Sequence, residues 1–146
     1  MANPVVYFPG SLGQVPMKIY SNGDGTYSLG IQTVGPATTT TVTISGSASL
    51  SGAAVLTTGR VVGFATDASW TPQAVTFQIS PYGNTFYNLY NEGTEYSIAS
   101  MPASAYTSVN PAVFLGANQV KVRSGTSGSA IAQGSATTLT LFVATI

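Results

Sequence analysis

The stretch AVTFQIS, residues 74–80, alternates apolar and polar side chains: Val75, Phe77 and Ile79 on one parity, Thr76 and Gln78 on the other. Successive side chains of a β-strand point to opposite faces, so this period of two predicts a strand with one face buried. The same pattern recurs in both directions. QVKVRS, 119–124, sets Val120 and Val122 inward and Lys121 and Arg123 outward, and TLTLFVATI, 138–146, buries Leu139, Leu141 and Val143. MKIYSNGDGTYSLGI, 17–31, joins Met17 and Ile19 to Tyr27, Leu29 and Ile31 across Asn22-Gly23-Asp24-Gly25, residues that accept the positive φ of a tight hairpin. Further strands are expected at 42–45, 61–66, 86–90 and 96–99. No ten-residue stretch keeps a helical stripe, although NPAVFLGA, 110–117, can make one turn with Pro111 at its start. Eight or so short strands at about ten-residue spacing predict an all-β chain, a β-sandwich or jelly roll.

Composition agrees. Of 146 residues, 44% are hydrophobic but only 5% are charged, against about 25% in an ordinary soluble domain. Serine and threonine make up a quarter of the chain, beside 16 glycines and 8 prolines, a profile of strands and turns. Four basic and four acidic residues give a net charge of zero. Such a chain cannot neutralise a row of phosphates, so nucleic acid is not an expected partner. Its surface offers little colloidal repulsion and favours association. Without cysteine the chain is no disulfide-stapled scaffold. The opening MANPVVYFPGSLG has no basic leader, and no segment approaches the 18 or so apolar residues of a membrane span. No membrane or targeting role is expected.

Two stretches stand apart from the strand pattern. The first sixteen residues hold Pro4, Pro9 and Pro16 around the apolar cluster Val5, Val6, Tyr7 and Phe8. Proline restricts this segment to extended backbone, and so short an apolar strand is expected to dock on something else, as a candidate protein interface or an arm exchanged between subunits. TVGPATTTTVTISGSASLSG, 33–52, is a polar Thr/Ser/Gly tract that reads as a linker. The expected organisation is therefore an arm, hairpin and linker over 1–52 and a sandwich body over 53–146.

The residue inventory argues against catalysis. Without histidine or cysteine, Ser-His triads, cysteine nucleophiles and zinc sites cannot be built, so no catalytic, cofactor or metal residues are assigned. Glu92 and Glu95 are the one close carboxylate pair, and on one strand their odd spacing points them to opposite faces, unlike a glycosidase pair. NGDGT, 22–26, lacks the further acidic ligands of a calcium loop and reads as the hairpin turn.

SPYGNTFYNLYNEGTEYSI, 80–98, gathers tyrosines and asparagines, the residue types of sugar-binding faces. Pro81-Tyr82-Gly83-Asn84 supplies turn residues between two strands. Tyr87 shares parity with Leu89 and is expected in the core. Tyr82 and Tyr90 are expected at the surface, where tyrosine anchors protein interfaces or stacks on a sugar ring.

WTPQAVTFQISPYGNTFYNLYNEGTEYSI, 70–98, and NQVKVRSGTSGSAIAQGSATTLTLFVATI, 118–146, together resemble small structural proteins of tailed bacteriophages and prophages, and the hairpin at 17–31 is similar to the N-terminal hairpin of many of them. VKVRSGTS, 120–127, is the most specific part; the chain departs from the family pattern in having Tyr82-Gly83 where an Asp-Gly turn is usual. The core also resembles discoidin-like jelly rolls. The resemblance implies a virion component at the phage head surface, made in the bacterial host cytoplasm. It would be a head decoration or cement protein whose partners are the major capsid protein and copies of itself. Edge strands with few charged residues to blunt them predict a homo-oligomer, and threefold positions on a capsid suit a trimer. The rival expectation is a carbohydrate-binding module of a head fibre or tail protein that attaches to host glycans, with Tyr82 and Tyr90 in contact with the ligand.

Overall fold

The computed structural model describes residues 37–145 in full and the backbone of three strands before them, residues 5–8, 15–21 and 27–30. The chain divides into two compact units, Met1–Thr33 and Val34–Ile146.

In the first unit β1 (Val5–Phe8), β2 (Val15–Ser21) and β3 (Tyr27–Gly30) form an antiparallel sheet in the order β1-β2-β3. The hairpin between β2 and β3 is present, from Ser21↔Tyr27 to Lys18↔Gly30; its turn, including Asp24, lies outside the described residues. β1 pairs with β2 of the same chain, from Val5↔Lys18 to Phe8↔Val15. The arm expected to dock on something else thus has one backbone edge paired with the hairpin of its own chain. Strand β2 divides its length between its neighbours, residues 15–18 facing β1 and 18–21 facing β3. Pro16 consequently lies where a ladder runs on one side only, a position that tolerates a residue without an N–H.

The second unit is a two-sheet sandwich. Its strands are β4 (Thr38–Ile44), β5 (Ala54–Val55), β6 (Arg60–Thr66), β7 (Gln73–Ser80), β8 (Tyr87–Asn88), β9 (Tyr90–Asn91), β10 (Thr94–Glu95), β11 (Ser97–Met101), β12 (Tyr106–Ser108), β13 (Gln119–Ser124) and β14 (Thr137–Ala144). One sheet runs β12-β6-β14-β4; the other runs β11-β7-β13-β5, with β8 added beside β7. All of these ladders are antiparallel. Val42, Ile44, Val61, Phe64, Leu139 and Leu141 of the first sheet close on Val75, Phe77, Val120 and Val122 of the second in one core. Phe64 and Phe77 meet edge to face across it, ring centroids 6.0 Å apart, an arrangement the aromatic quadrupole favours.

The tract read as a linker is structural, and the strand expected at 42–45 is the end of a longer one. Thr38–Ile44 forms an edge strand along the whole of β14, from Thr38↔Val143 to Ile44↔Thr137, and buries Val42 and Ile44. The unit boundary accordingly falls at Thr33/Val34 and not near residue 52. A run of threonines looks like polar low complexity, yet threonine is β-branched and strand-favouring, and two apolar residues of matching parity suffice to anchor an edge.

The turn expected at 110–117 is a 3-10 helix, Pro111–Phe114, with the Asn110 side chain accepting from the Ala112 N–H at 3.0 Å and Phe114 fully buried against Phe77. Trp70 is also buried, and its Nε1 donates to the Met101 carbonyl at 2.8 Å. Gln133, in the loop between β13 and β14, is completely buried. Its Oε1 accepts from the Thr71 N–H at 2.7 Å and its Nε2 donates to Ser124 Oγ at 2.8 Å. The backbone of Gln133 also bonds Ala48 and Ser47, so one side chain and its main chain tie three segments together.

Candidate functional site

Residues 80–98 leave β7 and return to it as β11, and the local chemistry explains the path. Ser80 Oγ accepts from the Gly83 N–H at 2.8 Å, and Gly83 takes φ +89°, which a side chain disfavours. At the far end Glu92 and Gly93 carry φ +50° and +83° between the paired β9 and β10, the backbone of a type I′ hairpin turn. Between these turns the strand expected at 86–90 is broken in two. Leu89 turns into the core, its N–H donating to the Phe77 carbonyl at 2.9 Å.

The polar side chains of this excursion are spent on the sheet beneath. Asn88 Oδ1 accepts from Gln78 Nε2 at 3.1 Å and from Arg123 Nη2 at 2.8 Å. Arg123 Nη1 reaches Glu95 Oε1 at 3.4 Å, and both Glu95 oxygens accept from the Ser127 N–H at 3.0 and 3.1 Å. Arg123, expected to point into solvent, does leave the core face, but the excursion covers it and leaves it buried. Lys121, its neighbour on the same face, sets its Nζ 4.1 Å from the Phe86 ring centroid, a cation–π contact. Glu95 is thus a structural acceptor, and Glu92 sits in the exposed hairpin turn.

The tyrosines are left at the surface. Tyr82 is 90% exposed and Tyr90 53%. Tyr87, expected in the core, is 58% exposed. It does share parity with Leu89, but it lies on the short strand β8 opposite half-buried Ile79, at the side of the sheet.

Asp67 follows β6. Its Oδ1 accepts from the Ser69 N–H, from Ser69 Oγ and, at 2.6 Å, from Thr137 Oγ1; its Oδ2 accepts from the Thr138 N–H. Slight burial pushes this carboxyl up, but the bonds from Thr137, Thr138 and Ser69 together outweigh it and hold the group below its ordinary value of 3.8.

A shallow cleft of about 320 Å³ opens at the other end of the sandwich, lined among others by Thr57, Thr58, Arg60, Pro81, Phe114 and Asn118. Sequence reading missed it, since its residues come from three separate stretches. The detectable signal was Arg60, a lone cation beside the turn residues Thr57-Thr58-Gly59.

Among the described residues, no three His, Cys, Asp or Glu side chains converge on a metal-sized site, and no helix is long and apolar enough to cross a membrane. Val5, Val6, Tyr7 and Phe8 are placed by their backbone pairing alone. Comparison with protein-family models, with curated proteins and with solved structures finds no match for this chain.

Proposed function

We propose that the chain is a non-enzymatic assembly protein of a virus particle, a head decoration or cement protein that bridges capsid subunits and associates with copies of itself, most simply as a trimer. The observation that carries this reading is the outer edge of β4. Thr38–Ile44 contains no charged residue, and among the described residues its one ladder is with β14. The Thr43 carbonyl accepts from the Gly52 N–H at 3.4 Å, so residue 43 turns its backbone away from β14. Residues of the same parity do likewise, and this leaves the N–H and C=O groups of Thr39 and Thr41 facing outward, with exposed side chains. Proteins that must stay monomeric blunt such an edge with lysine, proline or a bulge. β4 has none of these within its span, so it is suited to receive a strand from another subunit. A first unit compact in itself gives the chain a second element with which to reach a neighbour, and the sequence resemblance to phage structural proteins supplies the setting.

The test is Thr41→Pro. It removes an outward donor and no internal bond, so the sandwich should fold while self-association in micromolar sedimentation is lost; Thr41→Lys, which keeps the N–H, should weaken association through charge. Residues 34–146 alone should fold and bind undecorated phage heads less well than the full chain. A wild-type protein that sediments as a monomer, or a Thr41→Pro oligomer indistinguishable from wild type, overturns the reading.

A second reading is favoured by the exposed Tyr82, Tyr87 and Tyr90 on a single stretch: a module that attaches to host glycans. Specific binding on a glycan array, lost on replacing these tyrosines by alanine, would support it.

A further inference from the structure

The cleft beside Arg60 combines features that the assembly reading leaves unused. Leu56, Thr57, Thr58 and Gly59 form a turn closed by the Gly59 N–H on the Leu56 carbonyl at 2.9 Å. Its second residue, Thr57, has φ +54°. That position ordinarily takes glycine, and a β-branched residue there is a genuine conformational outlier. The turn is pinned at its first residue, and its last has no room for a side chain. The Leu56 N–H donates to the Asn118 carbonyl at 2.8 Å, and at Gly59 any Cβ would collide with the Val143 side chain. Strain held in place this way gathers where a protein presents groups to a ligand, and both Thr57 and Thr58 line the cleft.

The lining chemistry narrows the ligand. Arg60 is half-buried, and among the described residues the one ion pair is Arg123 with Glu95. Asp67 is held by Ser69, Thr137 and Thr138. Among the described residues Arg60 has no ion-pair partner, and the planar fork of its guanidinium suits a carboxylate. The Thr57 and Thr58 hydroxyls and the Asn118 amide supply neutral donors and acceptors of the kind that meet ring hydroxyls. Pro81 adds a little apolar surface, since Phe114 is fully buried. A volume of about 320 Å³ is at the small end of ligand sites and suits one sugar unit. One cation amid neutral groups matches a monoanion better than a phosphate dianion.

We propose that this cleft binds a carboxylate-bearing sugar residue, with Arg60 on the carboxylate and Thr57, Thr58 and Asn118 on the ring hydroxyls. The site is separate from the β4 edge and does not depend on self-association. It supplies a ligand class for the glycan reading, yet the two can fail separately: array binding to neutral sugars alone would support an exposed-tyrosine face and overturn this cleft.

Galacturonate and N-acetylneuraminate are titrated into the full chain at low salt, with backbone amide shifts recorded by NMR; glucose and inorganic phosphate are the controls. Both acidic sugars should shift the amides of residues 57–60 and 116–118, and added salt should weaken them. Arg60→Gln should lower affinity at least about tenfold, the worth of a charge-assisted hydrogen bond, with a melting temperature close to wild type. Thr57→Gly should raise the melting temperature by removing the strain while weakening the sugar. The proposal is overturned if no acidic sugar shifts these amides, if glucose or phosphate does so equally well, or if Arg60→Gln and Thr57→Gly both bind like wild type.

Discussion

Thr137 Oγ1 donates to Asp67 Oδ1 at 2.6 Å, fastening the start of β14 to the end of β6 across 70 residues of chain. With the Thr138 N–H on the other carboxylate oxygen and Ser69 on the first, the bonds favour the ionised form and lower the Asp67 pKa from 3.8. A carboxyl whose folded value is depressed contributes stability above its unfolded value, and this is lost as pH falls through the folded value. The melting temperature should therefore hold near neutral pH and decline from about pH 5 downward. Asp67→Asn should lower the neutral-pH stability by about 1–2 kcal/mol and flatten the acid limb. Thermal melts at a series of pH values check this; equal acid slopes for the two proteins would remove Asp67 from the account.

Among the described residues Arg123 is the best-covered charge, with side-chain exposures of 9% for Arg123 and 15% for its partner Glu95. Arg123→Ala strips Asn88 and Glu95 of one donor each and leaves the Glu95 charge without its partner, which should cost about 3 kcal/mol, whereas exposed pairs are worth under about 1. Glu95→Gln, which keeps an acceptor for the Ser127 N–H, should cost less. Urea denaturation separates the two, and moderate salt should change the wild-type value little.

Gln133→Leu should be among the more damaging single substitutions. It leaves the buried Ser124 hydroxyl without the Gln133 amide and the Thr71 N–H without its acceptor, at a cost of about 1–3 kcal/mol, and loosens the β13–β14 loop over the core. Hydrogen exchange should then quicken at Thr71 before the central β7 and β13 amides respond.

Gly125 ends β13 with φ +86°, and a Cβ there would strike the Ser129 carbonyl. Gly125→Ala should cost more than about 1 kcal/mol, where a glycine replacement at a compatible backbone would stabilise slightly. Gly128→Ala, three residues on in the same loop with nothing within 4 Å of its Cβ position, is the control and should be close to neutral.

Alternation alone located β7, β13, β14 and the β2–β3 hairpin, because a strand with one buried face writes its period of two into the residues. The inward parities of Val75, Phe77, Val120, Val122, Leu139 and Leu141 came from the same signal and agree with the core. Periodicity could not say what lies outside a sheet. Arg123 and Tyr87 were both misplaced for that reason: the one is covered by a segment about 30 residues away in sequence, and the other stands exposed on the short strand β8 at the side of its sheet. Polar composition likewise concealed the first half of β4, residues 38–41, whose partners in β14 are 99 or more positions distant. The cleft at Arg60 was invisible for a related reason. Its walls come from residues 57–60, 81 and 114–118, which no local pattern joins. Short-range sterics and side-chain alternation determined the all-β class and most inward faces. The pairing of edges, the covering of charges and the assembly of a cleft were decided by tertiary structure, since each depends on chain segments that meet only when the two sheets close.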